Sequence, residues 1–180
     1  MKHAFPIIVT IVLAATLPGS GEAQESPYTG LEQRPIKALS AEEVAAYAEG
    51  AGMSLALPAE LNGYPGPRHV LDNAGALGLS QGQREAISAI FDSMQSQAVA
   101  VGREYIRAEQ RLDSLFAAGG ITSEGLREGV AEAERLKGGL RVIHLAAHLE
   151  TTALMDREQV SRYQQLRGYD GAKQDHGAHH

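Results

Sequence analysis

The chain has no cysteine and no tryptophan, and aromatic residues make up only 5% of it. Without cysteine there can be neither a disulfide nor a thiolate metal site. Without tryptophan, and with few other rings, there is little on which to stack bases or to cage an organic cation. Basic charge is also short. Sixteen Lys and Arg stand against 22 Asp and Glu, for a formal charge of −6, which argues against nucleic acid as a partner because that requires a basic face. Long apolar runs are confined to Ile7–Leu17. That stretch falls well short of the ~20 residues that an ordinary membrane-spanning helix needs. Runs of β-branched residues are scarce after it, whereas Ala and Gly abound, so helix is the expected secondary structure.

The one apolar run has the setting of an export signal. Lys2 and His3 precede it, and "PGSGEA" at 18–23 follows it, with small residues at Gly21 and Ala23. Residues 1–23 therefore read as a signal peptide cut after Ala23, which sends the mature chain to the periplasm. The competing reading is an uncleaved anchor. Loss of Lys2 and Glu22 leaves the net charge unchanged.

The mature chain divides in two. Residues 24–66 carry Pro27, Pro35, Pro58 and Pro65 among several glycines and read as a largely irregular arm. Within the arm, "SAEEVAAYAEG" predicts a short helix over 41–49, with Ser40 as cap, Glu43 closing a capping box and Gly50 as stop. From Pro67 the pattern becomes helical throughout. Pro67 suits a first helical position and Gly78 a position just past the end, which predicts a helix over 67–77.

Two long seams follow. Apolar or small residues at Ile87, Phe91, Met94, Ala98, Val101, Tyr105, Ala108, Leu112 and Leu115 alternate steps of four and three. A second series runs through Leu126, Val130, Ala133, Leu136, Leu140, Ile143, Ala147, Thr151 and Leu154. Such spacing marks helices that pack lengthwise. Because "AAGG" at 117–120 leaves only a short link, the two must lie antiparallel. The expected fold is all-α: a long antiparallel helical hairpin over 67–168 with short flanking helices, four in all, preceded by the arm. Residues 169–180, ending in "HGAHH", read as a disordered tail that adds His176, His179 and His180.

Two helix starts echo one another. "LGLSQGQREAI" contains Leu79, Ser80 and Gln83, and "ALMDREQVSRY" contains Met155, Asp156 and Gln159. In each, an apolar residue precedes a cap and a glutamine follows three residues later, which suffices for a stapled capping box.

Paired motifs of this form, flanking a helical hairpin in an exported and cysteine-free chain, resemble the periplasmic LTxxQ-motif superfamily. That superfamily includes Spy/CpxP-type chaperones, zinc-responsive accessory proteins and nickel/cobalt sensors of heavy-metal resistance. The resemblance covers residues 67–168 and leaves the arm without a counterpart. In the sensor branch the second long helix carries a His-x-x-x-Met ligand pair. The resemblance places His144 at its His position and His148, a departure, where that branch has Met. It also implies an acidic ligand at or beside Asp92, and it leaves His69 as the one representative of an early His pair.

Spacing gives a separate reason to look at the same residues. His144 and His148 are four apart on one helix, so their imidazoles can share an ion. A hairpin turning at 119–120 sets Asp92 in the layer of His148, and folding the Pro67 helix back about Leu79 brings His69 within a turn of Asp92. The candidate ligands are thus His144, His148, Asp92 and His69, for a divalent transition metal (Zn, Ni, Co or Cu) that affinity order alone does not select. Both helix histidines lie one step beside the seam, where partial exposure is expected, and a pair of this kind is also compatible with ordinary surface. No catalytic triad or carboxylate pair stands out, so no enzymatic activity is expected. The expected partners are a metal ion, a second copy in a homodimer, and either a membrane-bound signalling partner or unfolded protein clients.

Overall fold

A computed structural model describes residues 26–169, and among these every regular element is helical. The signal segment and the histidines of the tail lie outside the described residues. The elements are α1 (Ala41–Ala48), α2 (Leu57–Glu60), α3 (Pro67–Asp72), α4 (Gln81–Ala117), α5 (Ser123–Ala153) and α6 (Arg157–Leu166), with a 3-10 turn at Leu31–Gln33. No helix among them is long and apolar enough to cross a membrane.

The hairpin forms as its seams predict. Ser80 caps α4 by accepting from the Gln83 N–H, and Thr122 caps α5 by accepting from the Gly125 N–H. Two close approaches set the antiparallel register: Gly129 lies against Leu112 and Gly139 against Val101. The middle of both seams is buried, from Ile87 to Ala108 on one helix and from Ala133 to Thr151 on the other. Burial fails toward the turn. Leu115, Leu126 and Val130 satisfy the spacing but are exposed, because nothing packs over the tip.

The arm is not the loose extension its prolines and glycines suggest. Ile36, Leu39 and Tyr47 are buried in one cluster with Ala98, Tyr105, Leu136 and Leu140, so the arm is a third layer on the hairpin. Tyr47 and Tyr105 meet edge to face with ring centroids 4.8 Å apart. Gly102 makes this approach possible, since a Cβ there would run into the Tyr47 carbonyl oxygen. The arm also contains a helix that its composition hides: α2 is a single turn with Pro58 near its start.

α3 is shorter than the spacing predicts. It ends at Asp72, and the chain passes through turns to Gly78, which takes φ +66°. Asn73 ends the helix, where its side-chain amide donates to the His69 carbonyl. Leu77 and Leu79 still reach a second core cluster with Val70, Ile87 and Tyr163, so burial is kept although helix is not.

The two echoing motifs meet in space. Both form complete capping boxes. In addition, the Gln83 amide donates to the Gln159 side-chain oxygen at 2.8 Å and to the Leu154 carbonyl at 2.8 Å, and the Gln159 amide donates back to Gln83 at 3.2 Å. Each glutamine therefore closes its own cap and the other's, joining the starts of α4 and α6. In a double-mutant cycle, Gln83→Ala and Gln159→Ala should couple by about 1 kcal/mol, the contribution of a shared, partly buried hydrogen-bond pair. Strict additivity in urea unfolding would show that the two caps act independently.

Candidate functional site

Where the arm crosses the hairpin it roofs a cavity of about 420 Å³. Its walls come from the Gly50–Glu60 stretch, the start of α3, one face of α4 at Phe91, Met94 and Gln95, and α5 at His144 and His148, with Arg167 and Tyr169 closing one end. The roof follows from how α1 stops. Gly50 takes φ +70°, and the Ala51 N–H bonds back to the Ala46 carbonyl, turning the chain across α4. The next loop holds Met53 and Ser54 at φ +41° and +65°. Two consecutive non-glycine residues in the left-handed region are strained by roughly 1 kcal/mol or more each, and strain of this kind gathers at functional sites.

His148 is held by the backbone of the arm. Its Nδ1 lies 2.7 Å from the Tyr64 carbonyl oxygen. A carbonyl only accepts, so Nδ1 carries the proton and Nε2 keeps its lone pair. That nitrogen borders Gly66, where a Cβ would sit 2.8 Å away. Gly66 thus leaves the ligating edge of the ring uncovered.

His144 differs from its expected state. Rather than bordering the core it is only 4% exposed, and its Nε2 has no hydrogen-bond partner. The register explains this: the seam of α5 packs on α4, and the adjoining face at His144 is covered by the arm, with Gly52 beside the imidazole. Burial, and then the neighbouring His148, hold its pKa below the usual imidazole value.

The carboxylate at this site is Glu60, on α2, which no spacing in the sequence singles out. Glu60 is 7% exposed. Its Oε1 accepts from the Tyr163 hydroxyl at 2.6 Å, the Tyr169 hydroxyl at 3.2 Å and Arg167 Nε at 3.3 Å. Its Oε2 has no hydrogen-bond partner and lies 3.8 Å from His148 Nδ1. Tyr169, expected in the disordered tail, is instead tied into this cluster. A signal does exist: one acid inside "SLALPAELNGYPGP", where the neighbouring residues are apolar, proline or glycine.

His69, on α3, also lines the cavity. Asp92 does not. It is exposed, one residue past the cavity-lining Phe91, and a helix turns ~100° per residue, which carries its side chain to solvent. Four buried side-chain atoms among the described residues lack a hydrogen-bond partner, and two of them, His144 Nε2 and Glu60 Oε2, belong to residues of this cavity. Such groups are rare and costly unless something satisfies them. Among the described residues no three His, Asp or Glu side chains form a group that could hold a metal ion. The residues present therefore fit a metal as a two-imidazole site with a carboxylate behind one ring, not as a complete cage.

Compared with protein-family models, curated proteins and solved structures, the chain finds no match. The likeness to the LTxxQ superfamily rests on the two capped motifs, their spacing and the signal-like start.

Proposed function

We propose that this protein is an exported metal-binding protein of the heavy-metal resistance or sensor type, which holds a divalent transition ion (Zn, Ni, Co or Cu) between His144 and His148. The supporting observation is the buried His144 Nε2 without a partner, one turn from a His148 whose tautomer leaves Nε2 free to ligate. Glu60 takes the role first expected of Asp92, standing behind the imidazole as carboxylates often do at metal-bound histidines. His69 stands at the wall, near enough in the fold to meet an ion that enters. A sensing role would need a membrane-bound signalling partner, and the mature chain is proposed to work as a homodimer without catalytic activity.

The test is thermal unfolding of the mature, untagged protein with each of the four metals. An ion that binds only the folded chain stabilises it by ~2.7 kcal/mol at a hundredfold excess over its dissociation constant. His144→Ala combined with His148→Ala should abolish the shift, whereas deletion from Ala172 onward should retain it. The stabilisation should fade as pH falls below about 6, since a protonated imidazole cannot ligate. Without metal the sign is the same for a different reason. His144 is held neutral below its usual value, so the unfolded chain takes up a proton that the folded chain does not. Stability is then full above ~6.5 and declines as pH falls toward the lowered value. A metal-induced shift that survives the double replacement but not the tail deletion would overturn the proposal.

A second reading is a chaperone-like cradle for unfolded clients. It is favoured by the exposed Leu115, Phe116, Leu126 and Val130 around the hairpin tip, an apolar group that the hairpin itself does not need.

A further inference from the structure

The cavity around His144 and His148 is mismatched to a bare ion in three respects. The first is the donor count: the protein brings two free imidazole nitrogens together, whereas Zn, Ni, Co and Cu take four or more ligands. The second is size. An ion with a water or two would fill only a small part of about 420 Å³, since one water occupies ~30 Å³. The third is charge. In a chain of net charge −6, the lining of this cavity holds two guanidinium groups, Arg68 and Arg167, and three imidazoles against a single acid, Glu60. That acid is already engaged by Arg167 and two tyrosine hydroxyls. A cation-rich pocket with partly vacant metal coordination suits an anion that carries its own metal-binding oxygens.

We infer that the ion is taken into this cavity as its complex with a small polycarboxylate, whose carboxylates occupy the coordination positions the protein leaves open and pair with Arg68. The inference rests on the metal-binding reading and names the form in which the metal arrives. Arg68 is suited to this task. It lies 5.7 Å over the centre of the Phe91 ring, which supports its guanidinium plane from below, and its only other charged partner among the described residues is the exposed Asp72 at 3.5 Å. The planar fork of a guanidinium matches a carboxylate in two parallel hydrogen bonds. Phe91, Met94, Met53 and Leu57 supply apolar walls for the carbon skeleton between the charged ends. His144 and His148 contribute their nitrogens from the floor, so metal and chelator are held from opposite sides.

The experiment titrates the full mature chain with nickel(II) alone, with citrate alone and with preformed nickel(II) citrate, by calorimetry and by native mass spectrometry. A charge-assisted, bidentate pairing that only the complex can form predicts that nickel citrate binds about tenfold more tightly than nickel alone. It also predicts a species carrying the mass of protein, nickel and citrate together. Arg68→Ala should bring the ratio of the two dissociation constants to about one, and Arg68→Lys should restore part of the difference. Because the Arg68 side chain is largely exposed, neither variant threatens the fold. If citrate strips nickel from the protein, or leaves its affinity unchanged while nickel alone still binds through the two histidines, this inference fails and the metal-binding reading stands. A preference for nickel citrate that persists in Arg68→Ala overturns the assignment of the carboxylate to this arginine. If neither nickel nor nickel citrate binds, both readings fall.

Discussion

Leu140→Asp is expected to unfold the hairpin. Leu140 is 1% exposed at the point where α4, α5 and the arm all meet, in the cluster that contains Tyr47, Ala98, Tyr105 and Leu136. The substitution removes the transfer and packing contribution of a buried leucine, about 2–5 kcal/mol for truncation alone. It also forces a carboxylate into a layer with no donor to receive it, which adds several kcal/mol more. A domain of ordinary stability, about 5–15 kcal/mol, would have little left. Circular dichroism should show loss of helicity or a collapse of the melting temperature. Leu149→Asp on the same helix, where the side chain is 57% exposed, should leave both near their original values. Equal behaviour of the two variants would mean that the buried seam runs elsewhere.

Glu60→Ala should be the next most damaging change. One oxygen of Glu60 accepts from three donors: the buried Tyr163 hydroxyl, the Tyr169 hydroxyl and Arg167. Tyr163 is fully buried, and its burial, followed by the bond to Glu60, raises its pKa well above the usual range, so it remains a donor at every working pH. Removing the acceptor leaves that hydroxyl unsatisfied at about 1–3 kcal/mol and strips Arg167 of its carboxylate partner. Arg167 keeps some access to water, which reduces its share of the penalty. A total loss of about 3 kcal/mol is expected, read as a lower urea midpoint at unchanged slope. Glu60→Gln, which preserves an oxygen acceptor, should lose less. An unchanged midpoint for Glu60→Ala would show that the cluster is a bystander to folding.

How far the structure is legible in the sequence depends on how local each determinant is. The seams, the caps at Ser40, Ser80, Thr122 and Asp156, and the turn near 119–120 are set by residues within a few positions of one another, and these are where expectation and structure agree. The exposed tip shows the limit of spacing. Leu115 and Val130 obey the same period as Leu140, but burial also requires a third element, and the arm does not reach them. For the arm itself, Ile36, Leu39 and Tyr47 follow no helical or strand period, so nothing nearby marks them as core.

The site divides in the same way. His144 and His148 are a local pair, so their spacing alone reveals them. His69 follows from folding a short helix back along the next one. Asp92 comes out at the correct height but on the wrong side, because arithmetic along an axis specifies level and not azimuth. Glu60 carries no such local mark, since its partners lie more than a hundred residues further on.

The arm also bears on the order in which the chain can fold. Its core residues come early in the sequence, whereas their partners on α5 and the Glu60 partners on and after α6 come last. Closure of the arm over the hairpin is therefore a contact of large sequence separation, with a correspondingly large loop-closure cost and a slow approach to the final state. The hairpin, built from neighbours in sequence, is expected to zip first and to wait with Leu136, Leu140 and His144 uncovered. During synthesis or export the metal-binding face would then pass through an open form. An ion or chelate arriving in that interval would meet the two imidazoles before the roof, and would be enclosed as the last step of folding.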